Sequence, residues 1–177
     1  MGIYPSENKV VLMAFLTTER LSIRRIEDHD RDFIFRLVNT PGYIKFIGDN
    51  KVRTIEHAKA YIINGPKTSY QQFGFGLYLV MLKDTSVPIG VCGLTKREFL
   101  SFVEIGYAYL PPFWGNGYAK EAAKAVFEHG YQSGVHRIMG VVRPENEGSK
   151  AVLSSLGLRY IRDIMLPDEE EYMDLMG

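Results

Sequence analysis

The run Tyr109-Leu-Pro-Pro-Phe-Trp-Gly-Asn-Gly-Tyr-Ala-Lys-Glu-Ala122 constrains the fold of this chain more than any other. Phe102–Leu110 (FVEIGYAYL) leads into it with the pattern of a buried strand, and Pro111-Pro112 cannot continue a hydrogen-bonded ladder. Beyond it, Ala119, Ala122, Ala123, Val126, Phe127 and Tyr131 recur at helical spacing, with Gly134 as a natural stop. A strand therefore passes through a loop holding Gly115 and Gly117 straight into an amphipathic helix over Gly117–Gly134. Glycines let backbone approach a ligand closely, and the first-turn N–H groups of a helix have no internal partners. Such a helix start attracts phosphate by hydrogen bonding and by its partial positive charge. A tight turn without any ligand is the other reading of the same glycines. Gly130 costs about 1 kcal/mol relative to Ala in a helix, which predicts fraying at the far end.

The rest of the chain supplies a sheet for that helix. Arg20–Arg25 (RLSIRR) alternates as a half-buried strand. Asp28 or Asp30 caps a helix carrying Phe33, Ile34, Leu37 and Val38 on one face and ending near Pro41-Gly42. Thr54 caps a second, with Ile55, Ala58 and Ile62 aligned, that stops before Gly65-Pro66. Phe75–Leu82 and Ile89–Leu94 flank the turn Lys83-Asp84-Thr85-Ser86 as a hairpin. Arg137–Val142 reads as a short strand, and Asn146 caps a helix through Leu156 with Gly157 at its exit. Leu158–Met165 and Tyr172–Leu175 are the last strands, separated by the acidic run Asp168–Glu171, a solvated turn. The order βααβββαβαββ describes a single α/β domain over residues 16–177, after an N-terminal leader at 1–15.

Composition narrows the function. The 177 residues carry 21 Lys+Arg and 21 Asp+Glu, a formal charge of zero. That balance removes the long-range attraction on which general binding to nucleic acid or anionic membranes relies. No run approaches the roughly 20 apolar residues that span a bilayer. The N-terminus lacks a secretory pattern, so a cytoplasmic location is expected; Met1-Gly2 with Ser6 fits a myristoylation start only loosely. Cys92, the single cysteine, excludes an internal disulfide and reads as a small buried apolar residue. His29, His57, His129 and His136 fall in no ligand spacing, and no metal site is expected. Monomer and homodimer both stay open.

Two familiar phosphate loops do not fit. No Gly-Lys-Ser/Thr run exists for a Walker loop. Lys120 stands where a dinucleotide fingerprint needs a third small residue, and Met139-Gly-Val-Val where it needs a ribose-binding acid. Trp114-Gly-Asn-Gly-Tyr-Ala119 instead resembles the acyl-CoA pyrophosphate loop, Gln/Arg-x-x-Gly-x-Gly/Ala, of the GNAT superfamily of N-acetyltransferases. Gly117 and Ala119 match, while Trp114 replaces the Gln or Arg. Thr18-Glu-Arg-Leu21 is similar to the family's first strand, and Pro88–Arg97 (PIGVCGLTKR) to its third. Glu104-Ile-Gly-Tyr107 resembles its fourth strand, and Asn146-Glu-Gly-Ser149 with Leu156-Gly-Leu158 its last helix and exit. The wording is closest to the branch that includes the ribosomal-protein alanine N-acetyltransferases.

The resemblance implies a GNAT fold, with a mixed, mostly antiparallel sheet splayed between the fourth and fifth strands. It implies acetyl-CoA as cosubstrate, its pantetheine arm pairing with backbone at Ala108, Tyr109 and Leu110 and its pyrophosphate received by Gly115, Asn116, Gly117, Tyr118, Ala119 and Lys120. Asn146 matches a residue that bonds the cofactor arm, against its plain role as a helix cap. Glu104 is the carboxylate offered as general base. Counting back from the loop puts the family's glutamate at Val103, so a surface ion pair of Glu104 with Arg97 competes with that role, and Glu98 is a second candidate. Ser149 is the candidate acid for the departing thiolate, with water as the alternative; the position of another common acid, a Tyr, holds Leu153. The aromatic residues Tyr107, Tyr109, Phe113, Trp114 and Tyr118 read as packing before recognition. The implied reaction is direct acetyl transfer to a primary amine, on a protein N-terminus or a small molecule. A catalytically degenerate acyl-CoA-binding sensor is the alternative.

Overall fold

In the computed structural model, which describes residues 15–167 and 170–177, the apolar runs form eight strands of one sheet. They are β1 (Leu16–Thr17), β2 (Leu21–Arg25), β3 (Leu77–Leu82), β4 (Pro88–Thr95), β5 (Val103–Tyr109), β6 (Ile138–Val142), β7 (Tyr160–Ile164) and β8 (Met173–Met176). Their spatial order is β1-β2-β3-β4-β5-β6-β8-β7, antiparallel throughout except for the parallel pair β5–β6. The helices are α1 (Arg31–Val38), α2 (Pro41–Phe46), α3 (Ile55–Ile62), α4 (Thr68–Phe73), α5 (Tyr118–Gln132) and α6 (Glu147–Ser155). Apart from Phe15, the expected leader and the Met1-Gly2/Ser6 start lie outside the described residues, as do Asp168 and Glu169 of the acidic run. Phe15 stacks on Tyr78 at 4.5 Å between ring centroids.

Strand alternation divides the core. On one face Ile23, Val80, Cys92, Leu94, Ile105 and Tyr109 pack with Ala122, Ala123 and Val126 of α5 and Leu153 of α6. On the other, Leu79 and Val91 meet Phe33, Ile34 and Leu37 of α1 and Ala58 and Ile62 of α3.

Local punctuation misled in four places. Pro41-Gly42 begins a helix rather than ending one: Pro41 occupies the first turn of α2, and Thr40 caps it by accepting from the Tyr43 N–H. Gly65-Pro66 does not stop the chain either, because a π-helical turn at Ile63–Lys67 absorbs Pro66 and continues into α4. Neither acidic side chain caps α1; Asp30 is held by Arg24 through two 2.7 Å bonds after a 3-10 turn at Asp28–Asp30. Gly130 does not fray α5. A Cβ there would stand 2.6 Å from Leu94 Cδ1 and 3.1 Å from Ile138 Cδ1, so the missing side chain lets α5 lie close on the sheet.

The sheet is divided at β5 and β6. Their ladder consists of Val103↔Ile138 and Glu104↔Met139 at the strand starts, after which the two strands go separate ways. β6 pairs instead with β8. α6 leans on β6 at Gly140, where a Cβ would lie 2.5 Å from Leu153 Cδ1.

Candidate functional site

The opened end of β5 runs directly into the glycine loop. Gly115 and Gly117 have φ of +75° and +80°, values that strain any residue with a side chain. Gly117 is the N-cap of α5 and has no side chain to offer the helix, whereas Thr54 and Asn146 cap α3 and α6 by accepting from His57 and Ser149 N–H. The intrahelical ladder of α5 starts with the Glu121 N–H on Gly117 O at 3.1 Å. The amides of Tyr118, Ala119 and Lys120 thus form an uncapped first turn beside the loop, with the Lys120 side chain exposed.

Trp114, the departure from the expected Gln or Arg, clamps this loop. Its Nε1 donates to Tyr109 O at 2.7 Å, and its ring lies so close over α2 that a Cβ on Gly42 would be 2.7 Å away. Asn116 turns its side-chain amide onto Trp114 O at 2.9 Å. The sequence reading missed a second clamp, Arg20, whose Nη1 donates to Asn116 O at 2.9 Å and which pairs with Glu121 at 2.7 Å. No local pattern points to this role of Arg20, because its partners Asn116 and Glu121 lie 96 and 101 residues further along the chain.

Backbone direction along β5 corrects the expected set of pairing residues. The Leu110 N–H donates to Ile89 O on the β4 side at 2.9 Å, and the Val103 N–H donates to Arg137 O on the β6 side at 3.0 Å. Backbone groups alternate sides along a strand. Ala108 and Leu110 are therefore committed to β4, and Tyr107 and Tyr109 face the gap. Three consecutive residues cannot all serve an added strand. Gly106, Tyr107 and Ala108 are half-buried in the middle of a sheet, as expected where a neighbour has turned away.

Glu104 and Ser149 flank β5 from opposite faces. Glu104 shares its face with Ala108, on the α1/α3 side, and is buried with Arg97 Nε 2.9 Å from its Oε2. Burial raises the Glu104 carboxyl above the usual carboxylate range, and the Arg97 charge and hydrogen bond only partly offset it. The competing role, an ion pair with Arg97, is thus present, with Glu104 buried and Arg97 reaching it from the surface. Glu98 is exposed beyond β4. On the other face, Tyr107 Oη reaches α6, 2.9 Å from Ser149 Oγ and donating to Ser149 O at 3.0 Å. Burial pushes the Tyr107 phenol up, and the Ser149 hydrogen bond pulls it partly back. Leu153 is buried against Gly140, so that position offers the gap no polar group. Asn146 Oδ1 is spent on the Ser149 N–H at 3.0 Å, leaving its NH₂ as the part the cap does not use. Cys92 is fully buried, and burial pushes its thiol up, as befits a core residue.

A separate cavity of about 380 Å³, lined by Asn50, Lys51, His57, Tyr61 and Asn64 among others, lies beside α3 and contains none of these groups. Among the described residues no three His, Cys, Asp or Glu gather as a metal site, and no helix is long and apolar enough to cross a membrane.

Known proteins are similar to this chain in sequence and in fold. The model of the acetyltransferase (GNAT) domain matches residues 20–159. The uncharacterized N-acetyltransferase YnaD of Bacillus subtilis (strain 168) is 32% identical over 145 residues, covering 81% of this chain and 82% of that protein. The uncharacterized N-acetyltransferase p20 of Bacillus licheniformis is 30% identical over 163 residues, covering 90% and 89%. Among solved structures, a ribosomal L7/L12 α-N-protein acetyltransferase in complex with coenzyme A superposes with a TM-score of 0.80. It covers 93% of this chain and 96% of its own at 17% identity, a likeness of fold.

Proposed function

The chain belongs to the GNAT acetyltransferase family and is an acetyl-CoA-dependent acetyltransferase, and from that premise we propose that it acetylates a primary amine, on a peptide N-terminus or a small molecule, by direct attack in a ternary complex. The observation that carries this reading is the parting of β5 from β6 beside an uncapped helix start. The N–H groups at Gly115–Lys120 receive the pyrophosphate, and the backbone of Tyr107 with the N–H of Tyr109, whose carbonyl is held by Trp114, takes the pantetheine arm in place of the departed strand. The thioester then lies in the gap with a polar group on each side of β5.

The two faces divide the proton work. An alkylammonium must lose a proton before its lone pair can attack the thioester carbonyl. Glu104, raised by burial, accepts that proton from the α1/α3 face, directly or through water. As the C–N bond forms, charge develops on the carbonyl oxygen, where a backbone N–H of β5 stabilises it. The C–S bond then breaks, and the thiolate takes a proton from Ser149 Oγ on the α6 face, which regains it from water while the Tyr107 hydroxyl, 2.9 Å away, holds Ser149 in place. Proximity of amine and thioester supplies much of the remaining rate.

Free-thiol release from acetyl-CoA over a panel of amines and peptide N-termini tests the proposal. Release with at least one amine, with acetylated product found by mass spectrometry, is the expected result. Tight CoA binding without release across the panel would support the sensor alternative, in which the Arg97 pair keeps Glu104 from acting as a base.

A further inference from the structure

Thr18 and Arg20 belong to the turn joining β1 and β2, yet both reach the glycine loop and the first turn of α5. Thr18 Oγ1 donates to Glu121 Oε1 at 2.5 Å, and the Arg20 backbone N–H donates to the same oxygen at 2.9 Å. Arg20 Nε donates to Glu121 Oε2 at 2.7 Å, while Nη1 donates to Asn116 O at 2.9 Å. The guanidinium lies over the Tyr118 ring, 4.6 Å from its centroid, and Nη2 is 3.4 Å from where a Cβ on Gly117 would sit. One planar fork therefore touches the loop, its glycine and the helix that follows.

The consequence concerns one peptide group. In a trans peptide the C=O and the next N–H point in opposite directions, and no cis bond occurs among the described residues. With Asn116 O held on Arg20, the Gly117 N–H points to the opposite side of the loop. Glycines on either side of Asn116 have little steric preference of their own. Without the guanidinium that peptide is free to flip, presenting a carbonyl dipole where an anion needs a donor.

We propose that Arg20 is a positioning residue for diphosphate recognition: it fixes the 116–117 peptide so that the Gly117 N–H faces the cofactor, while Glu121 balances the charge and orients the fork. The inference rests on the reading of this loop as the acyl-CoA site. It requires no contact between the guanidinium and the cofactor. A lysine cannot reproduce it, because one ammonium on a flexible stem does not span both acceptors as a planar fork does.

The test is calorimetric titration of coenzyme A and of 3′-dephospho-coenzyme A into the wild type, R20K and R20A, with thermal melting alongside. The expected result is that both variants bind both ligands more weakly by a common factor, roughly ten-fold for one lost charge-assisted hydrogen bond. R20K is expected to melt near the wild type, since it still pairs with Glu121, and so to separate loop positioning from folding. Unchanged affinity in R20A overturns the inference. So does wild-type affinity in R20K, which would make bare charge sufficient, and so does a loss confined to coenzyme A, which would put Arg20 on the 3′-phosphate. A wild type that binds neither ligand sinks the acyl-CoA reading itself, whereas the other adverse outcomes sink only the role of Arg20.

Discussion

Glu104 shows how a single side chain carries two opposed arguments. Its neighbours in the sequence identify a carboxylate on the right strand, but neither its burial nor the reach of Arg97 can be read from β-strand alternation. The same limit applies to Arg20, whose partners are brought to it only by folding, and to the Tyr107–Ser149 contact between β5 and α6. Because burial holds the Glu104 carboxyl above the ordinary value near 4.3, its proposed role as base predicts that activity rises as pH climbs through the raised value. Glu104→Gln is expected to lower kcat by about 100-fold or more and to remove that acid limb, while the Kd for coenzyme A stays the same. The pH–rate profile decides it: a variant that keeps the limb and loses only melting temperature would leave Glu104 a structural partner of Arg97. Linkage gives the stability sign. A carboxyl whose pKa is raised by folding contributes stability below its unfolded pKa, and that contribution is lost as pH rises through the folded value.

Elements were more legible than their joints. The hydrophobic periods identify the strands and the long helix, because burying one face is what makes each element form. Pro-Gly and Gly-Pro pairs say only that the chain changes course. Whether Pro41 ends a helix or starts one depends on Thr40 being free to cap it, and whether Pro66 breaks a helix depends on a π-turn that removes the need for its N–H. Gly130 is the sharpest case. Propensity alone says that Gly130→Ala should gain about 1 kcal/mol in α5. Packing says the opposite, since the new methyl would stand 2.6 Å from Leu94 Cδ1 and press on Ile138. Overpacking costs roughly 1–3 kcal/mol, so against the propensity gain of about 1 kcal/mol the expected outcome is a net loss of up to about 2 kcal/mol. Urea unfolding at constant slope measures it, and a variant more stable than the wild type would mean that α5 can lift off the sheet freely.

At the scale of the whole molecule, the sheet consists of two parts that share one core on the α5/α6 face but only a short ladder. Strands β1–β5 carry α1–α5 on their two faces, whereas β6–β8 travel with α6, and between the parts the ladder holds only Val103↔Ile138 and Glu104↔Met139. A sheet divided in this way leaves backbone groups of its central strand without a neighbour, which a fold tolerates where something else pairs with them. The strand's own alternation specifies which groups those are. The Leu110 amide is already bonded to Ile89 O, and Ala108 points the same way, so a pantetheine arm can add protection only on the Tyr107 and Tyr109 side. Residue-resolved hydrogen exchange should therefore show the Tyr107 and Tyr109 amides slowing markedly when coenzyme A is added, together with the amides of Gly117 to Lys120 at the start of α5. Ala108 and Leu110 should gain no protection beyond the rise in global stability that the ligand gives every amide. New protection at Ala108 and Leu110, or none at Tyr107 and Tyr109, would mean that the arm does not enter between β5 and β6. Ligand at 100 times its Kd adds about 2.7 kcal/mol to global stability, so the comparison must be made on local openings, where the two pairs of amides differ, rather than on the overall rise that all of them share.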